Sequence, residues 1–403
     1  MVDTCEKMSQ KIISFNIICN AVLGYEAFSG GDNIFINFAR YLAKKGAGVN
    51  IFTWKHGYLM CQKNGLTENE VNFSLSLAGK FENWPFPVLY LLRAFLGIRE
   101  IKKAIKLGQF KDRKVIIYSA SDFWPDSLPA FFFKRWSPQA KWIAGFYLFA
   151  PNPLGGFRGE KNLKNFFFWL TQKPIFWLIT KYVDMICVTS EPDIVPFIQA
   201  GRKPEDIFVV KGGIDYQHLK KFQKPAKKIY GAVFVGRFHP QKGVVEMIDI
   251  WKEVVKKKPK ARLAVIGLGE MEEKMRKKIK EYNLEGNVKF LGVMLGDDRN
   301  RVLQQSQIIL HPAVYDSGGM AAASGLACGL PGVSFDLPVF KTYYPRGFLR
   351  AEVGNIKDFA EKIIALTEDK SLYLKMRKEA IKEAKTWDWQ KRVEKFLNKV
   401  EKL

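Results

Sequence analysis

The sequence predicts an α/β protein made of two parallel-sheet domains in tandem. Three observations carry this. The chain has 403 residues, more than one hydrophobic core ordinarily encloses. Short buried-type strands alternate with helical patterns from Ile12 onward, the signature of a parallel sheet covered on both faces. A second alternation begins at Ile229, after Gln217–Lys228, a charged stretch without apolar period that reads as a linker.

In the first cycle, Ile12–Cys19 reads as a buried strand. Ser29-Gly30-Gly31-Asp32 then turns into a helix reaching about Lys45, and Val49–Trp54 is the next strand. Lys114–Tyr118, Lys141–Phe146, Met185–Thr189 and Ile207–Val210 continue the strands. Helical patterns lie at Leu89–Leu107, Leu163–Tyr182 and Pro192–Ala200. In the second cycle the strands are Gly231–Gly236, Leu263–Ile266, Val288–Leu291, Ile308–Leu310 and Gly332–Phe335. Helices are expected at Gly243–Lys256, Glu270–Tyr282, Asp298–Gln305 and Gly319–Cys328. After Asn355 the pattern is helical to about Lys385, and Asp388–Lys399 is a last amphipathic helix.

Composition bounds the function. Apolar residues make up 47% of the chain, so it packs a core. Lys and Arg number 64 against 40 Asp and Glu, a net charge of +24. That excess suits a polyanionic partner: nucleic acid, an anionic membrane face or phosphorylated ligands. No nucleic-acid recognition motif accompanies it. Cys5, Cys19, Cys61, Cys187 and Cys328 show no paired spacing, which points away from disulfides and zinc and toward a reducing cytosol. Met1–Gln10 is polar and reads as no signal peptide. Arg93 interrupts one apolar region and Gln172-Lys173-Pro174 another, so neither reaches the roughly 20 apolar residues of a spanning helix.

Open parallel sheets bind ligands beyond the carboxyl ends of their strands, and four segments fall there. Gly30 and Gly31 let backbone approach a ligand, although a tight turn uses glycine equally well. In Gly236-Arg237-Phe238-His239-Pro240-Gln241-Lys242-Gly243, two cations flank a helix start and suit a diphosphate. Gly267-Leu268-Gly269 lacks the third glycine of a dinucleotide fingerprint and reads as close-packed backbone. In His311–Met320, Asp316 either accepts hydrogen bonds from sugar hydroxyls or caps the following helix. Ser317, Gly318 and Gly319 leave backbone N–H groups bare for a phosphate.

These motifs, in this order, resemble the large retaining GT-B glycosyltransferases of family 4, also called group 1. The matching residues are Gly236-Arg237 with Lys242-Gly243, Thr189-Ser190-Glu191 with Gly213-Ile214-Asp215, Cys328-Gly329-Leu330-Pro331, and Trp387. The resemblance covers nearly the whole chain. It implies an N-terminal acceptor domain (1–215), a nucleotide-sugar domain (216–385) and a final helix (386–403) returning to the first domain. It implies a UDP- or GDP-linked sugar donor with no other cofactor and no metal. Arg237, Lys242 and Asp316 would act in catalysis. Gly30, Gly31, Gly236, Gly267, Gly292, Ser317, Gly318, Gly319, Met320 and Ser324 would line the donor. Base contacts would come from backbone at Leu291-Gly292-Val293. Acceptor specificity would lie in loops 64–84 and 150–164, and the acceptor would be a glycan or lipid-linked.

The family signature is Glu, seven residues, Glu. Here the two positions hold Asp316 and Ser324, so the first carboxylate is shorter and the second is lost. The family histidine on the acceptor side is also missing. Ser119-Ala120-Ser121-Asp122 stands in that place, where Asp122 either orients the acceptor hydroxyl or caps the next helix. These departures motivate a rival reading, a catalytically degenerate GT-B protein acting as binding partner or regulator.

Aromatic and basic residues interleave in Phe131–Trp136 and Lys161–Lys181. Such segments either lie on an anionic membrane face or form core with ordinary flanking lysines. The expectation is a cytoplasmic protein with peripheral attachment to the inner face of the membrane.

Overall fold

The computed structural model describes residues 13–22, 24, 29–110, 114–151 and 163–403. The first half runs β1 (Ile13–Ile18), α1 (Gly30–Lys44), β2 (Gly48–Thr53), α2 (Lys55–Lys63), β3 (Asn72–Leu75), α3 (Phe86–Lys106) and β4 (Lys114–Ser119). It continues with α4 (Trp124–Trp136), β5 (Lys141–Phe146), α5 (Leu163–Tyr182), β6 (Met185–Val188), α6 (Val195–Gln199) and β7 (Ile207–Val209). Its seven strands pair in parallel in the order β3-β2-β1-β4-β5-β6-β7.

The second half begins with α7 (Tyr216–Leu219), β8 (Tyr230–Val235), α8 (Val244–Lys257), β9 (Leu263–Ile266), α9 (Glu272–Glu281), β10 (Val288–Gly292) and α10 (Gly296–Gln304). Then come β11 (Ser306–His311), α11 (Ala321–Ala327), β12 (Gly332–Phe335), α12 (Pro338–Tyr343), β13 (Phe348–Ala351), α13 (Ile356–Glu368) and α14 (Lys370–Ala384). The sheet order is β10-β9-β8-β11-β12-β13, again all parallel. Each sheet reverses its winding once, between β1 and β4 and between β8 and β11. Loops leaving those strands border a crevice where parallel sheets take their ligands.

The last helix, α15 (Trp389–Val400), explains its own docking. Trp389, Val393, Phe396 and Val400 recur at helical spacing and are buried in the first core. Phe396 lies 4.4 Å from Phe38 of α1, centroid to centroid, and Trp389 meets the same ring edge-on at 6.2 Å. The chain therefore passes twice between the halves, at 210–215 and again near 387–389. The two passages are hydrogen-bonded side by side: Ile214 N–H to the Trp387 carbonyl at 2.8 Å, Trp389 N–H to that of Ile214 at 3.1 Å.

Several expectations need correction. Gln217–Lys228 is no open linker: α7 begins it, and Tyr216 and Leu219 are buried in the second core. The left-handed positions fall instead at Lys211 and Gly212, with φ of 58° and 69°. The helix expected over Gly319–Cys328 starts at Ala321, because Gly319 has φ +81° and cannot enter it. The helix expected to run from 355 to 385 breaks at Asp369, which caps α14 through the Leu372 N–H. Strands β3 and β13 and helices α2, α4 and α12 were not anticipated.

Candidate functional site

The two loops that leave the second sheet at its reversal point are zipped together. Gly236 ends β8, and Pro240 opens a short 3₁₀ turn capped by Gly243 at φ +63°. A methyl on Gly243 would run into the Pro312 carbonyl of the neighbouring loop, so glycine is required for this approach. The Gln241 carbonyl accepts the Val314 N–H at 2.9 Å. This contact brings Lys242 under the second loop, where its ammonium donates to Asp316 Oδ2.

That ion pair is the electrostatic centre of the crevice. The Lys242 side chain is 19% exposed and that of Asp316 only 6%. Burial alone would raise the Asp316 pKa. The Lys242 ammonium overcomes it and holds the carboxyl far below its usual range. The other oxygen, Oδ1, accepts the Gly318 N–H at 3.2 Å. Asp316 is therefore no helix cap, since Met320 occupies that position of α11. His311 Nε2 lies 3.7 Å from the carboxylate, too far for a hydrogen bond, and its ring packs on Phe340. Burial lowers the His311 pKa, so the ring is neutral at pH 7.

Arg237 differs from Lys242. It is exposed, and among the described residues it has no ion-pair partner. Burial, with Arg237 and Lys242 nearby, lowers the His239 pKa to about 4. Gly236, Gly267 and Gly292 stand at the ends of adjacent strands. Gly267 N–H donates to the Gly292 carbonyl at 2.8 Å, and a side chain on Gly267 would strike the Gly236 carbonyl. The Gly267-Leu268-Gly269 turn is thus close-packed backbone that supports the Arg237 loop. Leu268 accepts the Phe238 N–H through its carbonyl at 2.8 Å.

The first half closes the crevice from the other side. Tyr315 donates its hydroxyl to the Phe149 carbonyl at 3.0 Å, and Ser317 donates to that of Tyr147 at 2.5 Å. The Met320 side chain packs into both halves. It meets Gly212 and Asn33 and stands 3.4 Å from where a Cβ on Gly30 would be. Gly31 faces Tyr147 in the same way. Ser29 and Asp32 form a capping box, so Gly30 and Gly31 are the first turn of α1. The resulting wall brings Gly30, Gly31, Ser317, Gly318, Gly319 and Met320 together. Ser324 lies deeper, buried in α11.

Asp122 follows β4 in the first half. It does not cap α4, whose N-cap is Phe123. Its carboxylate accepts the Gln172 amide of α5 at 2.7 Å, and burial raises its pKa to about 6. Gln172 also donates to the Leu148 carbonyl at 2.8 Å and accepts the Ala150 N–H at 2.7 Å. Asp122 is therefore braced on the segment that Tyr315 touches. Sequence reasoning missed its neighbour Asp126, which accepts Ala21 N–H at 2.8 Å and Ser121 Oγ at 2.5 Å. Burial raises the Asp126 pKa to about 7 despite the nearby Arg93. A buried carboxylate needs such partners, and the loops after β1 and β4 supply them together. Of the loops expected to select the acceptor, residues 152–162 lie outside the described residues.

The fold matches solved structures over nearly the whole chain. Anabaena HepE, crystallised with UDP and glucose, superposes with a TM-score of 0.73 over 97% of this chain and 100% of that one, at 15% identity. S. aureus TarM, crystallised with UDP, Fondaparinux and alpha-GlcNAc-glycerol, gives 0.72 over 97% and 99%, also at 15%. The fold is GT-B. Residues 216–387 match the family described as glycosyl transferases group 1.

Curated relatives named as glycosyltransferases are similar over part of the chain. A poly(glycerol-phosphate) alpha-glucosyltransferase of Bacillus subtilis (strain 168) is 27% identical over 209 residues, 51% of this chain and 31% of that one. A poly(ribitol-phosphate) alpha-N-acetylglucosaminyltransferase of Staphylococcus aureus (strain COL) is 27% identical over 173 residues, 41% and 33%. The matched segments span about a third of the length of these relatives. The group 1 match contains Arg237, Lys242, Asp316 and Ser324, and stops at Trp387.

Proposed function

We propose that this chain transfers a sugar from a nucleotide-diphosphate sugar to a glycan or lipid-linked acceptor, with retention at the anomeric carbon. The observation that carries the reading is the Lys242–Asp316 pair, set in the crevice near the exposed Arg237. In the reaction the bond between the anomeric carbon and the diphosphate oxygen breaks. Negative charge then grows on the leaving diphosphate. Fixed cations stabilise that charge best in a water-poor crevice. Arg237 and Lys242 supply them, and the protein has no need of a metal ion for that task. Gly319 and Met320 add backbone N–H groups for which the described residues provide no acceptor. Asp316, ionised and held by Lys242, accepts hydrogen bonds from the sugar hydroxyls. The acceptor hydroxyl attacks from the side of Asp122, and its proton passes to the leaving phosphate.

The bound UDP of HepE and TarM favours a uridine donor. Ser324 offers one hydroxyl to the ribose where the family pattern has a carboxylate. Calorimetric titration with UDP, GDP and ADP tests the reading. UDP binds, and Arg237→Ala weakens it about ten- to a hundredfold, the loss of one charge-assisted contact. The reading fails if none of the three nucleotides binds the folded protein.

A further inference from the structure

A helix that is apolar on every side is normally buried in a core or in a membrane. Helix α5 carries apolar residues on its exposed side as well as its buried one, contains no Asp or Glu, and lies on the surface. Ile175, Leu178 and Ile179 enter the core. Phe166, Leu170, Lys173, Trp177 and Lys181 recur at four- and three-residue steps and form one exposed stripe. Lys173 lies 3.7 Å from the Trp169 ring centroid, and Lys181 lies 5.1 Å from that of Trp177.

Helix α3 repeats the arrangement. Val88, Leu91, Phe95, Arg99 and Lys102 make one exposed stripe, apolar at its start and cationic at its end. Leu91 is 54% exposed, Phe95 64%, Leu170 51% and Trp177 58%. The two helices meet where Phe86 and Phe167 contact each other at 6.4 Å. Scattered apolar residues on a surface are ordinary, but two exposed apolar stripes on helices in contact mark a docking face. Lysine and arginine within the field select the occupant. A protein partner's apolar patch gains nothing from them, whereas an anionic headgroup layer accepts both the rings and the cations. The net charge of +24 acts in the same direction. Among the described residues no helix is long and apolar enough to cross a membrane, so the contact is with the surface layer.

We infer that the exposed face of α3 and α5 seats this protein on an anionic lipid bilayer. The face adjoins the acceptor side: Phe123 packs on Phe168 of α5 at 5.6 Å, and Gln172 of α5 holds Asp122. On the transfer reading above, the acceptor then comes from the bilayer. The docking itself does not depend on that reading.

Co-sedimentation with phosphatidylglycerol–phosphatidylcholine vesicles tests it, with pure phosphatidylcholine vesicles as comparison. The full chain pellets with the anionic vesicles, and salt weakens the binding. Phe95→Glu/Leu170→Glu/Trp177→Glu reduces it at least about tenfold. Val353→Glu/Leu374→Glu, two exposed positions of the second half, leaves it unchanged. UDP calorimetry on the same samples reports the donor site separately, so the two proposals can fail independently. If the triple variant does not fold, Leu170→Cys carrying an environment-sensitive dye shows a blue shift on anionic vesicles. Absence of vesicle binding or of that shift overturns the inference. So does a wild-type dimer that the triple variant dissociates, which makes the face a contact between copies.

Discussion

Lys242 and Asp316 belong to loops that leave different strands, yet they form one buried ion pair. The pairing is possible because Gly243 lets the first loop slide against Pro312. Removing one partner of a buried pair strands the other. Lys242→Ala is expected to destabilise the protein by about 3 kcal/mol. Lys242→Met/Asp316→Leu recovers most of that loss and, on the proposed function, abolishes transfer. Urea unfolding of the single and double variants, beside a transfer assay, separates the two effects.

The buried carboxylates give stability a pH dependence of two signs. Asp122 and Asp126 titrate at about 6 and about 7 in the fold, against 3.8 for an ordinary aspartate. The unfolded chain releases those protons first. Their contribution is full below about pH 4 and is lost as pH rises through 6 to 7. Asp316 acts oppositely: its contribution is present above the unfolded value and is lost as pH falls toward its depressed folded value. Asp126→Asn is expected to flatten the pH 4–7 limb. Urea midpoints across that range, for wild type and variant, measure the change.

Two left-handed glycines should respond differently to alanine. At Gly319, φ is +81° and the added methyl meets the His311 ring; at Gly292, φ is +68° and the space is open. Gly292→Ala carries backbone strain alone, about 1 kcal/mol. Gly319→Ala adds a steric clash beside Asp316, and its melting temperature should fall further. Thermal unfolding of both variants ranks them, and equal losses would contradict this account.

The returning helix is held by one aromatic cluster. Phe396→Ala removes a fully buried ring from the contact with Phe38 and is expected to cost about 3–5 kcal/mol. Because α15 packs on the first core, the loss should appear there. Hydrogen exchange would show faster exchange in α1 and β1 than in β8–β11.

Much of the fold is readable from the chain because parallel strands are buried on both faces and appear as apolar runs. Lys141–Phe146, Leu263–Ile266 and Gly332–Phe335 coincide with their expected bounds. β3 escapes because it is an edge strand, with Asn72 and Leu75 exposed. α4 escapes because Pro125 and Pro129 interrupt its pattern, though one opens the helix and the other lies inside it. At the site, Arg237, Lys242 and Asp316 carry their chemistry in their residue types. The direct ion pair between the last two does not, since it depends on how two loops cross. Asp126 and Gln172 leave no local signal either, because their partners lie 105 and 50 residues away.

The side-by-side passages at Ile214 and Trp387–Trp389 set what motion is open to the crevice. A single covalent thread would let the halves twist and drift. Two threads laced along one line behave as a door on its pin. The walls carrying Gly30 and Met320 would then part and return in the same register. Sliding past one another would tear the lacing.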